Sequence, residues 1–164
     1  MKRLRKISMI GAVCAFSLAV TTAAVKAADD NKLSVEVAFG RGLNTAGTSA
    51  NNVVIPDTIK LKQNGVVHFL VAGFHQIVVY NPGKVDEDVV VPGSGLFIND
   101  ANERFYSGIT PAGGPPPSLP VTADPSNARN RVESVSFPAP GTYLVICNVL
   151  PHFNGGMFAY VEVK

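Results

Sequence analysis

Within eleven residues, Cys147 to Met157, the chain collects a thiol, an imidazole (His152) and a thioether. Two stretches of alternating hydrophobicity bracket them. Thr142 to Cys147 puts Tyr143, Val145 and Cys147 on one face, and Met157, Ala159, Val161 and Val163 alternate with Phe158, Tyr160 and Glu162. Period-two alternation is the mark of a half-buried strand. The donors therefore fall on a loop that joins two strands.

The same period recurs upstream. Leu33, Val35, Val37 and Phe39 alternate with Ser34, Glu36 and Ala38, and Ile59 and Leu61 with Lys60 and Lys62. Asn64-Gly65 follows as a strong hairpin signal before Val66 to Val71. Gln76 to Tyr80 and the run through Val132, Val135 and Phe137 read as further strands, the latter ended by the turn Pro138-Ala139-Pro140-Gly141. No useful window repeats at 3.6 residues. The fold class is all-β, a sandwich of two packed sheets. At 46% hydrophobic and 16% charged the chain is too apolar for disorder.

Asn81–Asn130 breaks the rhythm with eight prolines, from Pro82 to Pro125. Proline lacks the ladder N–H, so most of this stretch is excluded from central strands. Val89–Val91 is expected as a short strand and Asn99–Tyr106 as a helical turn. The segment reads as an insertion packed on the sandwich. For its proline-rich part, Gly113 to Pro120, the alternatives are a docking surface and a cover for a sheet edge.

Residues 1–27 read as a secretory signal peptide. Lys2, Arg3, Arg5 and Lys6 precede an apolar run from Ile7 to Val25, and Val25-Lys26-Ala27 fits a small-x-small cleavage site. An uncleaved anchor is the alternative. Residues 28–164 then form one domain with nine Lys+Arg against twelve Asp+Glu, a net charge of −3. Nothing basic is left for nucleic acid or an anionic membrane surface, and no membrane insertion is expected after cleavage. The location is periplasmic or secreted. Of two cysteines, only Cys147 survives cleavage. A lone exported cysteine is a free thiol, an intermolecular bridge or a metal ligand.

Thiolate, imidazole and thioether together suit copper, which must be held as Cu(I) and Cu(II). Asn154-Gly155-Gly156 permits a turn that returns Met157 to the other donors. A mononuclear site needs a second histidine. His75 follows Ala72-Gly73-Phe74 where the chain turns into the next strand. His68 lies inside a strand run, on the parity of Val66 and Leu70, where an ordinary strand residue is the simpler reading. His75 is the better placed.

The stretch Pro138-Ala-Pro-Gly-Thr-Tyr-Leu-Val-Ile-Cys147-Asn-Val-Leu-Pro-His152-Phe-Asn-Gly-Gly-Met157, with its closing strand to Val163, resembles the cupredoxins, the type 1 blue-copper family. Ala72-Gly-Phe-His75 resembles that family's first-ligand turn without its usual proline. The resemblance covers roughly 33–80 and 132–164. It implies a Greek-key β-sandwich of about eight strands. It also implies one copper ion held by His75, Cys147 and His152, with Met157 as a weak axial ligand. The implied role is one-electron transfer between redox partner proteins that dock near His152, where Leu150, Pro151 and Phe153 would form an apolar patch. The chain is expected to be a monomer and not an enzyme. Many members brace their two ligand loops with Asn after the first His and Ser or Thr after the Cys. Here those positions hold Gln76 and Asn148, so a Gln–Asn brace must replace them.

Two other functions compete. A catalytic second copper needs additional histidines, and the mature chain has three His in all. A single-site enzyme would need Met157 to leave a coordination position open. A copper-trafficking protein of the periplasm would want exchangeable, repeated Met or Cys, and here there is one of each.

Overall fold

The computed structural model describes residues 32–40, 51–100, 104–111 and 129–164. The proposed signal peptide and the Gly113 to Pro120 stretch lie outside the described residues. Among the described residues eight strands run in the order β1 Lys32–Phe39, β2 Val54–Ile55, β3 Thr58–Ala72, β4 Ile77–Tyr80, β5 Arg104–Ser107, β6 Asn130–Phe137, β7 Gly141–Cys147 and β8 Phe158–Val163. One short helix, α1 Leu150–Asn154, sits between β7 and β8.

The organising element is β3, at 15 residues the longest strand. Its first residues, Thr58 to Leu61, pair in parallel with β8. Its remainder, from Gly65 to Ala72, lies between β1 and β6. One half of the fold is thus β2-β1-β3-β6, and the other is β3-β8-β7-β4-β5. Their inner faces meet in one buried cluster. Val37, Phe39, Val67, Phe69, Val71 and Phe137 come from the first half, and Ile59, Leu61, Val79, Tyr143, Val145 and Val161 from the second. Each such side chain taken out of water contributes about 1.5–3 kcal/mol before entropy is counted. The fold is a β-sandwich.

The hairpin expected at Asn64-Gly65 does not form. A two-residue type I′ reversal needs positive φ at both central residues. Only Asn64 has it, at φ 64°. The strand bulges and runs on, and the register against β1 shifts between Lys32 and Ser34. Gly65 is required there because a Cβ would stand 2.6 Å from Leu61 Cγ. The bend lets a single strand serve both halves. Leu33, expected on the buried face, is 64% exposed at the start of β1. Val132 is 60% exposed, because Glu133, Val135 and Phe137 take the inward parity of β6.

Strands β4 and β7 are buried on both faces. The reason is the insertion, whose Val89 and Ile98 pack with Val78, Tyr80, Leu144, Ile146 and Phe153 in a second cluster. Val89–Val91 is not a strand; a 3₁₀ turn at Asp86–Asp88 precedes it. Nor is 104–107 helical. It forms β5 against the edge of β4, with Val79 opposite Tyr106. The ladder groups of β4 need a partner on that side, and this tertiary demand overrides local preference.

Candidate metal centre

Three elements deliver the site. Gly73, at φ 111°, turns the chain out of β3, and the His75 N–H donates to the Gly73 carbonyl at 3.1 Å. Cys147 is the last residue of β7, paired with Ile77 of β4. His152 lies in α1, which sequence reading left as plain loop. Pro151 in its first turn and Gly156 beyond its end, at φ 88°, were the available signals. The Met157 N–H donates to the His152 carbonyl and the Cys147 N–H to the Met157 carbonyl, both at 3.0 Å. That pair of bonds closes the loop on itself.

The structure brings His75, Cys147 and His152 together. Cys147 Sγ lies 3.7 Å from His75 Nδ1 and 3.6 Å from His152 Nδ1, and the two Nδ1 atoms are 3.1 Å apart. His75 and Cys147 are buried, while His152 is half-exposed. Met157 is fully buried in the main core beside them in sequence and hydrogen bonding. His68 is elsewhere, its Nδ1 2.8 Å from Ser134 Oγ on the outer face of the first half.

Behind the His75 ring, Nε2 faces Gly40 and the Ala72 carbonyl. A Cβ on Gly40 would stand 2.3 Å from that oxygen and 2.9 Å from Nε2. Nδ1 faces Cys147 Sγ and His152 Nδ1, so it is the nitrogen of His75 placed to hold a metal. Gly40, at φ 97° immediately after β1, makes room for this, and no local motif marks it in the sequence.

Burial, reinforced by His152, pushes His75 down to about 3. Burial also lowers His152 and pushes the Cys147 thiol up to about 11. Without a metal all three groups are therefore neutral near pH 7. The two Nδ1 atoms, 3.1 Å apart, are close enough to share one proton when no metal is bound, and a cation in the same place is held by both nitrogens. An ion about 2.0–2.1 Å from each nitrogen and about 2.3 Å from sulfur reaches all three atoms. The donors fit the group. A three-cornered His₂Cys set with a thioether nearby matches blue copper better than structural zinc, which takes four strong tetrahedral ligands.

Gln76 and Asn148 do brace the two ligand loops. Asn148 Nδ2 donates to Gln76 Oε1 at 2.8 Å, and the Asn148 N–H to the Gln76 carbonyl at 2.7 Å. Sequence reading missed a second support. Arg131 donates to the His75 carbonyl at 3.0 Å while paired with buried Glu133, which also accepts from the Tyr106 hydroxyl at 2.7 Å. Their spacing along the chain carries no signal, because Arg131 and Glu133 stand on β6, which pairs with β3, and Tyr106 on β5, which pairs with β4, so they meet only in the tertiary fold.

No protein-family profile matches the chain, and no curated protein does. Solved structures do. One is the dithionite-reduced auracyanin of the photosynthetic bacterium Roseiflexus castenholzii, at 21% identity and TM-score 0.48, over 82% of this chain and 98% of that one. A pseudoazurin from Sinorhizobium meliltoi matches at 17% and 0.43, over 80% and 73%. Plastocyanin from Dryopteris crassirhizoma matches at 19% and 0.41, over 79% and 99%. With TM-scores below 0.5, none of these likenesses adds a residue assignment to the geometry above.

Proposed function

We propose that residues 28–164 form an exported, cupredoxin-like copper protein that carries single electrons between redox partners. The observation that supports this reading is the triangle of His75 Nδ1, Cys147 Sγ and His152 Nδ1, with edges of 3.1 to 3.7 Å. These residues would hold one copper ion, with Met157 as a weak axial ligand. Copper supplies a one-electron couple between Cu(I) and Cu(II). The chain's part is to keep the donors still. His75 is fixed through Arg131, Cys147 through the backbone of Met157, and the two loops through Gln76 and Asn148.

Export is supported by the basic start and apolar run of residues 1–27. Among the described residues no helix is long and apolar enough to cross a membrane.

His152 is the one donor residue that reaches the surface, and partners would dock there. Phe153 does not join the expected apolar collar; it is buried in the second cluster. Leu96, 49% exposed, takes its place beside exposed Pro151 and half-buried Leu150 and Phe97, because the Leu150 N–H donates to the Leu96 carbonyl. A small apolar rim suits brief electron-transfer encounters.

The test is an optical spectrum of the copper-loaded protein with and without ascorbate. A strong thiolate charge-transfer band, bleached by ascorbate and absent in Cys147→Ala, is expected. A band that survives Cys147→Ala would show that the ligand set is wrong. A colourless complex that yields its copper readily to chelators would point to trafficking instead.

A further inference from the structure

Gln76 and Asn148 each follow a donor residue directly, and an amide pair can bond only in one polarity. We propose that Arg104, from the insertion, is a positioning residue that sets that polarity and so holds the His75 and Cys147 loops in register. The proposal rests on the copper reading only for its spectroscopic readout.

Asn148 is 4% exposed, too buried to turn its amide to the solvent. Its Oδ1 accepts from Arg104 Nη2 at 3.2 Å. Its Nδ2 is thereby directed at Gln76 Oε1. Gln76 is oriented from the other end, its Nε2 donating to the Gly108 carbonyl at 3.0 Å and to Thr110 Oγ1 at 2.9 Å. The insertion thus grips both ends of one polar chain, Arg104–Asn148–Gln76–Thr110. Without the guanidinium, Asn148 Oδ1 is a buried acceptor with no donor. Turning the amide over would aim that oxygen at Gln76 Oε1, acceptor against acceptor, and break the brace.

Arg104 is itself fixed. Nε donates to the Asp100 carbonyl at 2.9 Å, and Nη2 to the Ile98 carbonyl at 2.9 Å and to Asp100 Oδ1 at 3.0 Å. Asp100 also accepts from the Tyr80 hydroxyl at 2.8 Å. The backbone runs with the side chains: the Ile98 N–H donates to the Asn148 carbonyl at 2.9 Å. Such a planar, fully charged fork is what a lysine at this position could not reproduce.

The experiment compares Arg104→Met with Tyr160→Phe. Tyr160 donates to Asp86 at 2.6 Å and pins the same insertion far from Asn148, so it reports general loosening. In the metal-free full chain, amide hydrogen exchange at Asn148 should quicken about tenfold or more in Arg104→Met, the equivalent of one lost charged hydrogen bond. In the copper-loaded chain, the charge-transfer band and the reduction potential should both shift. Tyr160→Phe should leave all three readouts as in wild type. Wild-type exchange and spectrum in Arg104→Met would overturn the proposal. So would a lowered melting temperature as its sole effect, or an identical response in Tyr160→Phe. If Arg104→Met does not fold, Asp100→Asn, which weakens the anchor of the guanidinium, should show the same shifts at smaller size; its failure to do so overturns the proposal equally. If wild type binds no copper, the function reading fails while the exchange measurement still decides the role of Arg104.

Discussion

Three glycines separate the two reasons a glycine can be required, and one of them lies against the metal centre. Gly40 and Gly83 have nearly the same backbone, φ 97° and 96°. A Cβ on Gly83 would meet nothing within 4 Å, whereas one on Gly40 would stand 2.3 Å from the Ala72 oxygen and 2.9 Å from His75 Nε2. Gly93 has neither a positive φ in this range nor a neighbour within 4 Å. Gly93→Ala should therefore be neutral or gain a few tenths of a kcal/mol from reduced unfolded-state entropy, about 0.4–1 at most. Gly83→Ala carries backbone strain alone, about 1–3 kcal/mol. Gly40→Ala carries the same strain and must also displace a carbonyl and a ring in a packed interior, a further ~1–3 kcal/mol. At about 3 °C per kcal/mol for a domain of this size, Gly83→Ala should melt about 3–9 °C below wild type and Gly40→Ala about 6–18 °C below.

The assay is thermal unfolding of the metal-free protein followed by circular dichroism, with denaturant titration to confirm the order. A copper titration completes it. Gly40→Ala should bind at least about tenfold more weakly, because the added methyl pushes the His75 ring from its place. Gly83→Ala should bind like wild type. Equal melting temperatures for Gly40→Ala and Gly83→Ala, with equal copper affinity, would refute the close approach of Gly40 to His75.

Other expectations follow from neighbouring contacts. Met157→Gln should keep copper bound and lower the reduction potential, since a thioether favours Cu(I); unchanged voltammetry would place Met157 away from the metal. Glu133→Ala should lower stability by about 3–5 kcal/mol in chemical denaturation, because the buried carboxylate is lost to half-buried Arg131 and to Tyr106; a loss below ~1 kcal/mol would count against that network. Burial and Glu133 push the Tyr106 hydroxyl up to about 12 from 10.0. The folded state thus keeps this proton longer than the unfolded chain, so its contribution is complete below about pH 10 and fades as pH rises toward 12. Melting temperature against pH should fall less steeply over that window in Tyr106→Phe, and identical slopes would exclude Tyr106 as a contributor.

The sequence by itself determined what depends on near neighbours. Period two along Thr142–Cys147 and Met157–Val163 made the strands and their buried faces legible, and the donors between them fall within eleven residues. That His75 and not His68 lies beside Cys147 and His152 was legible too, because a glycine turn beside the one and a strand interior around the other differ locally. Tertiary structure decided the rest. Asn64-Gly65 is a hairpin signal in isolation, yet β3 runs through it because each side finds partners in a different half of the sandwich. Residues 104–107 become a strand because β4 leaves an edge to pair. Gly40, Arg104 and Arg131 reach the metal centre across separations of 35, 44 and 56 positions, from Gly40 to His75, Arg104 to Asn148 and Arg131 to His75. No periodicity spans such distances. Only the pairing register of the strands, a property of the whole sheet, brings those side chains to the donors.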